Sequence, residues 1–404
     1  MEDATKSSVV RPSLGDVLNY FLGVGTTGFG GPIALVGHME REFVDRRQWV
    51  TSQEFRDGIA FAQLAPGPLA AQLAMYLGWL CAGVGGATVA AVAFILPSFL
   101  MVLALSALYV RFGGIAWLTG AFYGIGAAVI AVISRSTVKL IKTTLARDTL
   151  LWSLLAVSAI VTAITESEKV WIFILCGVVT SFVRDVKRRG KQMNPALPAL
   201  APIFWLRAGD VGETWSRVAA PLAAVTLVSS ATLGTIVLYF AAAGLFVFGI
   251  GLAIIPFLHG GVVVEQRWLT ERQFLDAVAV ALITPGPIVI TVAFIGYLVA
   301  GVAGASAAAA GVFAPVYVIT LFLAPHFQRI QSIPRVRDLV DGVTAAATGA
   351  IAGAALVLGR RAITDFPTVL IAVAAMFILT RYRKFPEPLL VVAAALVGIA
   401  VRLT

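Results

Sequence analysis

The chain has 404 residues, 59% hydrophobic and 13% charged, with a net charge of +9 and a mean hydropathy of +0.92. A soluble domain carries roughly 25% charged residues. There is too little polar surface here for a water-soluble enzyme, a nucleic-acid binder or a disordered chain. Phe61–Val110 runs 50 residues, and Ala277–Gln328 runs 52, without Asp, Glu, Lys or Arg. One membrane-spanning helix needs about 20 apolar residues, so each run holds more than one segment. The runs lack the period-two alternation of a barrel. The fold class is all-α, a polytopic integral membrane protein. Its basic residues gather in short loops, as cytoplasmic loops do, so the charge is no nucleic-acid signal. Cys81 and Cys176 lie in apolar stretches without metal-type spacing and read as packing residues. The first twelve residues lack a cleavable signal pattern, so the first apolar segment is expected to be retained.

In chain order, a Gly-rich apolar segment (14–37) leads into a charged stretch (38–57). A second segment, 52–80, has Pro66-Gly67-Pro68 at its middle. Long helices at 84–110 and 115–134 follow, then a hairpin at 149–165 and 168–183. A basic linker, 184–217, and an unpaired apolar stretch, 219–236, lead to segments at 237–258, 271–297, 300–323, 340–359, 366–380 and 387–402. The second series repeats the first. Trp49-Val50-Thr51, Phe55 and Asp57 recur as Trp268-Leu269-Thr270, Phe274 and Asp276. Pro66-Gly67-Pro68 recurs as Pro285-Gly286-Pro287, and Phe29-Gly30 as Phe248-Gly249, all at an offset of 219. The chain therefore divides into a first repeat (1–183), a linker with an extra helix (184–236) and a second repeat (237–404). The extra helix and the charge bias of the loops predict inverted repeats.

Thr51-Ser52-Gln53-Glu54 and Thr270-Glu271-Arg272-Gln273 are capping boxes, which predicts helices starting near Ser52 and Glu271. Each is then broken by Pro-Gly-Pro, because proline removes a helix hydrogen bond and clashes with the preceding turn. Two half-helices, 52–65 and 68–80, result, and re-entry is favoured over a straight crossing. Broken backbone inside a membrane is tolerated where it lines a cavity. The N-terminus of the second half-helix offers free N–H groups and the positive dipole end to an anion. Matched broken helices in inverted repeats mark a transporter's midplane site. Gly28, Gly30 and Gly31 before Pro32 offer a second such break. The candidate substrate-binding residues are Gly28, Gly30, Gly31, Gln63, Pro66, Gly67, Pro68, Thr284, Pro285, Gly286 and Pro287. Gln63 and Thr284 have an alternative role, bonding a helix carbonyl. His38, Glu42, Asp57 and Asp276 are the candidates for coupling or gating, with the aspartates placed near the membrane surface. Neither long uncharged run offers a carboxylate for a cation, which tilts the substrate toward an anion. The sequence has no GxxxxGK, HExxH or GxSxG, and calls for no metal or cofactor. A lipid-phosphate enzyme would rest on Glu42 with Arg46 alone, and an accessory membrane subunit is a further alternative.

Phe29-Gly30-Gly31-Pro32, Gly37-His38-Met39, Trp49-Val50-Thr51 with Phe55, and Ala65-Pro66-Gly67-Pro68 together resemble the chromate ion transporter family. So do Thr284-Pro285-Gly286-Pro287 and Ile295-Gly296-Tyr297-Leu298. The duplicated length is similar to that of the family's long-chain members. The resemblance implies a secondary transporter in the bacterial inner membrane, driven by the proton-motive force, that exports chromate and confers resistance. Its expected partners are chromate or sulfate, the lipid bilayer and a second copy in a homodimer. The second half departs from the pattern: Ile250 interrupts the glycines, and His259-Gly260-Gly261 stands before Val262.

Overall fold

The computed structural model describes residues 11–29, 31–112, 116–145, 148–165, 170–189, 230–245, 254–327, 329, 333–382 and 385–403. Among them there is no strand. The first half runs α1 (Leu14–Thr27), α2 (Gly31–Glu40) with a π-helical turn (Arg41–Arg46), and α3 (Ser52–Leu64). The apolar stretch Leu69–Phe112 is helical except at Ala82 (φ −146°) and Gly83 (φ 58°, ψ −144°), which divide it into α4 (69–81) and α5 (84–112). Helices α6 (Ala116–Thr144), α7 (Thr149–Thr165) and α8 (Val170–Arg189) complete the half.

The second half repeats this series. It comprises α9 (Ser230–Leu245), α10 (Ile254–His259) with a π-helical turn (Gly260–Glu265), and α11 (Glu271–Ile283). A 3-10 turn (Ile288–Ile290) leads into α12 (291–299), and α13 (302–323) follows a corner at Ala300–Gly301 (Gly301 φ 60°, ψ −149°). The last three are α14 (Pro334–Ala362), α15 (Phe366–Arg381) and α16 (Glu387–Leu403). The offset is 219 through the Pro-Gly-Pro turns and 218 from the corners onward, so one residue is lost between them. Helix α9 begins inside the stretch predicted as an extra segment; residues 219–229 and most of the linker lie outside the described residues.

Both capping boxes form. Thr51 N donates to Glu54 Oε2 at 2.7 Å, and Thr270 N to Gln273 Oε1 at 2.9 Å. Helices α3 and α11 start at Ser52 and Glu271 accordingly.

Three chain reversals shape each half. In a continuous helix, Phe61 and Tyr76 would stand about 22 Å apart at 1.5 Å per residue. Their rings instead stack at 5.0 Å, so α3 and α4 fold back on each other through Pro66-Gly67-Pro68. Tyr20 and His38, about 27 Å apart in a continuous helix, meet at 3.1 Å, so α1 and α2 form a second hairpin. At the Ala82–Gly83 corner, Gly78 lies against the Gly86 carbonyl, and Gly296 against that of Gly304. A side chain on any of these four glycines would force the tight corner open.

The halves are inverted. The hydroxyls of Thr88, at the start of α5, and Tyr317, near the end of α13, lie 2.6 Å apart. The apolar cleft between these helices takes in Ala91–Phe99 of one and Ser306–Tyr317 of the other. In a parallel pair meeting at Thr88 and Tyr317, Phe99 would lie about 16 Å further on, beyond the end of α13. The two helices are therefore antiparallel, and they are the same element of the two repeats. The halves also interlock. Helix α6 packs on α15 and α16 of the other half, and α14 packs on α7 and α8. These crossings are close because small residues meet backbone: Gly124 against the Ala394 carbonyl, Gly342 against that of Cys176. Among the described residues, four helical stretches are long and apolar enough to cross a membrane: Leu69–Phe112, Gly120–Lys142, Ile288–His326 and Pro334–Ala362.

Candidate anion site at the helix breaks

The structure brings three of the predicted residues together across the halves. Gly286 N donates to the Gly28 carbonyl at 2.9 Å, joining the second half's Pro-Gly-Pro turn to the first half's glycine break. Gly28, Phe29, Thr284, Gly286 and Ile288 then line a recess of about 10 Å³, room for one water. Glu387, at the start of α16, also faces this recess; the sequence reading passed over it. Gly30 lies outside the described residues, and Gly31 opens α2 beside the break.

Both turn glycines have positive φ, +140° at Gly67 and +98° at Gly286, which favours residues without a Cβ. Their Cα side is not open to a ligand. A Cβ at Gly67 would meet Val316 Cγ1 at 2.7 Å, and one at Gly286 would run into Ser98 Oγ. Val316 and Ser98 are equivalent positions of α13 and α5, so each turn is seated on the other half's long helix. The Gly286 N–H is satisfied by Gly28. The donors left for an anion are those of the half-helix starts, where the first N–H groups have no intrahelical partner: Leu69 to Ala71, and Ile288 with Val289.

Thr284 Oγ1 bonds the Val280 carbonyl at 2.6 Å, the backbone role that the sequence reading offered as its alternative. Gln63 is exposed on α3 and does not join the cluster. Gln72 does. It is fully buried, and its Nε2 donates to the Pro66 carbonyl at 2.7 Å. Its Oε1 has no hydrogen-bond partner and is the one such side-chain atom among the described residues. Pro66, Gly67 and Pro68 thus carry a buried acceptor that can take an O–H or N–H group from a bound molecule.

The coupling candidates separate. His38 is exposed, with Nδ1 3.1 Å from Tyr20 Oη. Glu42 is buried and paired with Arg47 Nε at 2.5 Å and Arg46 at 3.4 Å. Burial pushes its carboxyl up, but the two arginines outweigh this and hold it below the usual range. Asp57 is half-buried and accepts from Gln53 Nε2 at 2.9 Å. Asp276 differs from its repeat mate. It is 2% exposed, and Tyr109 Oη from the first half donates to its Oδ2 at 2.7 Å. Where the second half would supply the counterpart of Tyr109, at an offset of 218, it has Phe327, packed on Phe61.

Inverted repeats, backbone breaks in matching places and membrane-length helices define a polytopic transport protein. The model of the chromate transporter family matches the chain twice, over residues 15–181 and 234–399. The chain belongs to the chromate transporter family. It is 50% identical to the chromate transport protein of Cupriavidus metallidurans, covering 96% of this chain and 93% of that one. It is 46% identical to the probable chromate transport protein of Synechococcus elongatus, with 99% of each covered. The chromate transport protein of Pseudomonas aeruginosa is 32% identical, with 98% and 94% covered. No solved structure matches significantly.

Proposed function

We propose that this chain is a secondary transporter that carries chromate out of the bacterial cytoplasm across the inner membrane, driven by the proton-motive force, and so confers chromate resistance. The observation that carries this reading is the junction of Gly28 with Thr284-Pro285-Gly286-Pro287. There two backbone breaks of opposite halves meet in a chain that aligns end to end with proteins named for chromate transport. Half-helix N-termini attract a tetrahedral dianion by backbone N–H groups and dipole, without a buried cation. Such a site selects charge and shape, so sulfate is the natural competitor. The recess as it stands holds only a water-sized occupant. An oxyanion therefore enters when the halves part at Gly28–Gly286, and the pseudo-twofold arrangement lets the same separation open toward either face. His38 and Glu42 sit at the hairpin bases and are assigned to gating.

The test is uptake of labelled chromate by everted membrane vesicles from cells making the protein. Uptake that needs an energised membrane, collapses with an uncoupler and is reduced by sulfate supports the proposal. Uptake equal to that of vesicles without the protein refutes it.

A further inference from the structure

Asp276 is a buried carboxylate on the re-entrant helix α11, bound by a residue of the other half. Its surroundings are sparse. Helices α5, α6, α12 and α16 pack on α11. Among the described residues on them, Tyr109 of α5 is the titratable group acting on Asp276; on its own helix, Arg272 acts from one turn earlier. At the start of α11, Glu271 is engaged by His259 at 2.8 Å and by Arg361. At its far end, Glu387 of α16 faces the recess, under the influence of Arg135 and Lys139 of α6. Asp276 itself forms no ion pair among the described residues. A carboxylate buried without a cation is costly when charged and has an easy route to neutrality by taking a proton.

Resting on the secondary-transport reading, we propose that Asp276 is the proton-binding group of the cycle, and that Tyr109 links its protonation to movement between the halves. The ionised carboxylate accepts a charge-assisted bond from Tyr109 Oη, about twice as strong as a neutral one. That bond ties α5 of the first half to the hairpin of the second, nine residues before Pro285 on the chain that forms the anion recess. Protonation removes the charge and halves the grip. The junction that must open for an oxyanion then loosens when Asp276 carries a proton. The first half has no such latch, because Asp57 is half-buried and Phe327 offers no hydroxyl. Coupling therefore resides in the second half alone, although the fold is duplicated.

The experiment uses the full chain in proteoliposomes, with labelled chromate and an imposed pH gradient, comparing wild type, Asp276→Asn, Asp57→Asn and Tyr109→Phe. For wild type and Asp57→Asn, the gradient should raise flux several-fold. For Asp276→Asn the ratio of flux with and without the gradient should fall to about one, while downhill chromate exchange persists. Tyr109→Phe keeps the carboxylate but removes the donor that favours its charged form, so its flux–pH profile should move to higher pH. An unshifted Tyr109→Phe profile, or an Asp276→Asn protein that still responds to the gradient, overturns the proposal. Should Asp276→Asn fail to fold, the near-isosteric Tyr109→Phe protein decides. Chromate flux in wild type that ignores the gradient overturns proton drive and this proposal together. A gradient-driven wild type with a gradient-driven Asp276→Asn overturns only the assignment.

Discussion

Alanine at the two helix corners provides a quantitative test of the chain path. Gly83 and Gly301 adopt nearly the same backbone angles, close to a region that essentially only glycine occupies at a strain of about 1–3 kcal/mol for other residues. A Cβ at either position would meet nothing within 4 Å, so the cost of alanine there is backbone strain without packing. Alanine also restricts the unfolded chain, which returns about 0.4–1 kcal/mol. The net expectation is a loss of about 1–2 kcal/mol for Gly83→Ala and the same for Gly301→Ala. The corners share no neighbour, so the double variant should lose about twice that. Gly37 and Gly234 are the controls. Both lie in helices with negative φ and equally open surroundings, where alanine should be neutral or stabilising by up to about 1 kcal/mol. The assay is thermal and denaturant unfolding of the purified protein in detergent, read by exposure of buried cysteine. Equal stability of Gly83→Ala and Gly37→Ala would refute the corner. Leu69–Phe112 would then be one helix of about 66 Å, twice the roughly 30 Å hydrocarbon core.

Three further outcomes follow, two from the packing between halves and one from an ion pair within the first. Gly286→Ala drives its Cβ into Ser98 Oγ, an overpacking cost of about 1–3 kcal/mol, and Ser98→Gly in the same chain should recover most of the lost stability while the φ strain remains. If Ser98→Gly recovers none, the turn is not seated on α5. Arg184 binds Asp148 at 2.6 Å, Asp341 at 2.7 Å and buried Asp338 at 3.0 Å, so it ties α8 to α14 across the halves. Arg188 also holds Asp338, so Arg184→Met should cost about 2 kcal/mol, below the 3–5 typical of a broken buried pair; Asp338→Asn added to it removes the remaining Arg188 pair and should cost further stability. Glu42, with its carboxyl lowered by Arg47 and Arg46, stabilises the fold above the unfolded-chain pKa of about 4.3 and loses that contribution as pH falls through the folded value. Glu42→Gln should therefore be less stable at neutral pH and should flatten the acid side of the stability profile.

What was legible in the sequence was local punctuation. Thr51–Glu54 and Thr270–Gln273 fixed two helix starts, and Pro-Gly-Pro fixed two breaks, because each acts within a few residues. The Ala82–Gly83 corner falls in the gap between the expected segments 52–80 and 84–110, but its tight form, with Gly83 at φ 58°, was not legible because a glycine without proline in an apolar run looks like any packing glycine of a membrane helix. Inversion was expected from an extra segment and from loop charges, and the antiparallel α5 and α13 establish it on different ground. The contents of the site were harder to foresee. Glu387 reaches the recess from the start of α16, about a hundred residues beyond Gly286, and Tyr109 meets Asp276 across the halves, so no periodicity links either pair. One signal was available: at matching positions of the repeat, Tyr109 and Phe327 differ by a hydroxyl. Gln72 was visible beside the turn, but only its buried, unpartnered Oε1 distinguishes it from a packing amide.

The central claim, that these interlocked inverted halves move an oxyanion by themselves, is tested most directly by flux with the purified chain. Proteoliposomes containing only this protein should take up labelled chromate saturably, faster under an imposed pH gradient, with sulfate competing. Uptake no faster than in protein-free liposomes under every gradient would contradict the account.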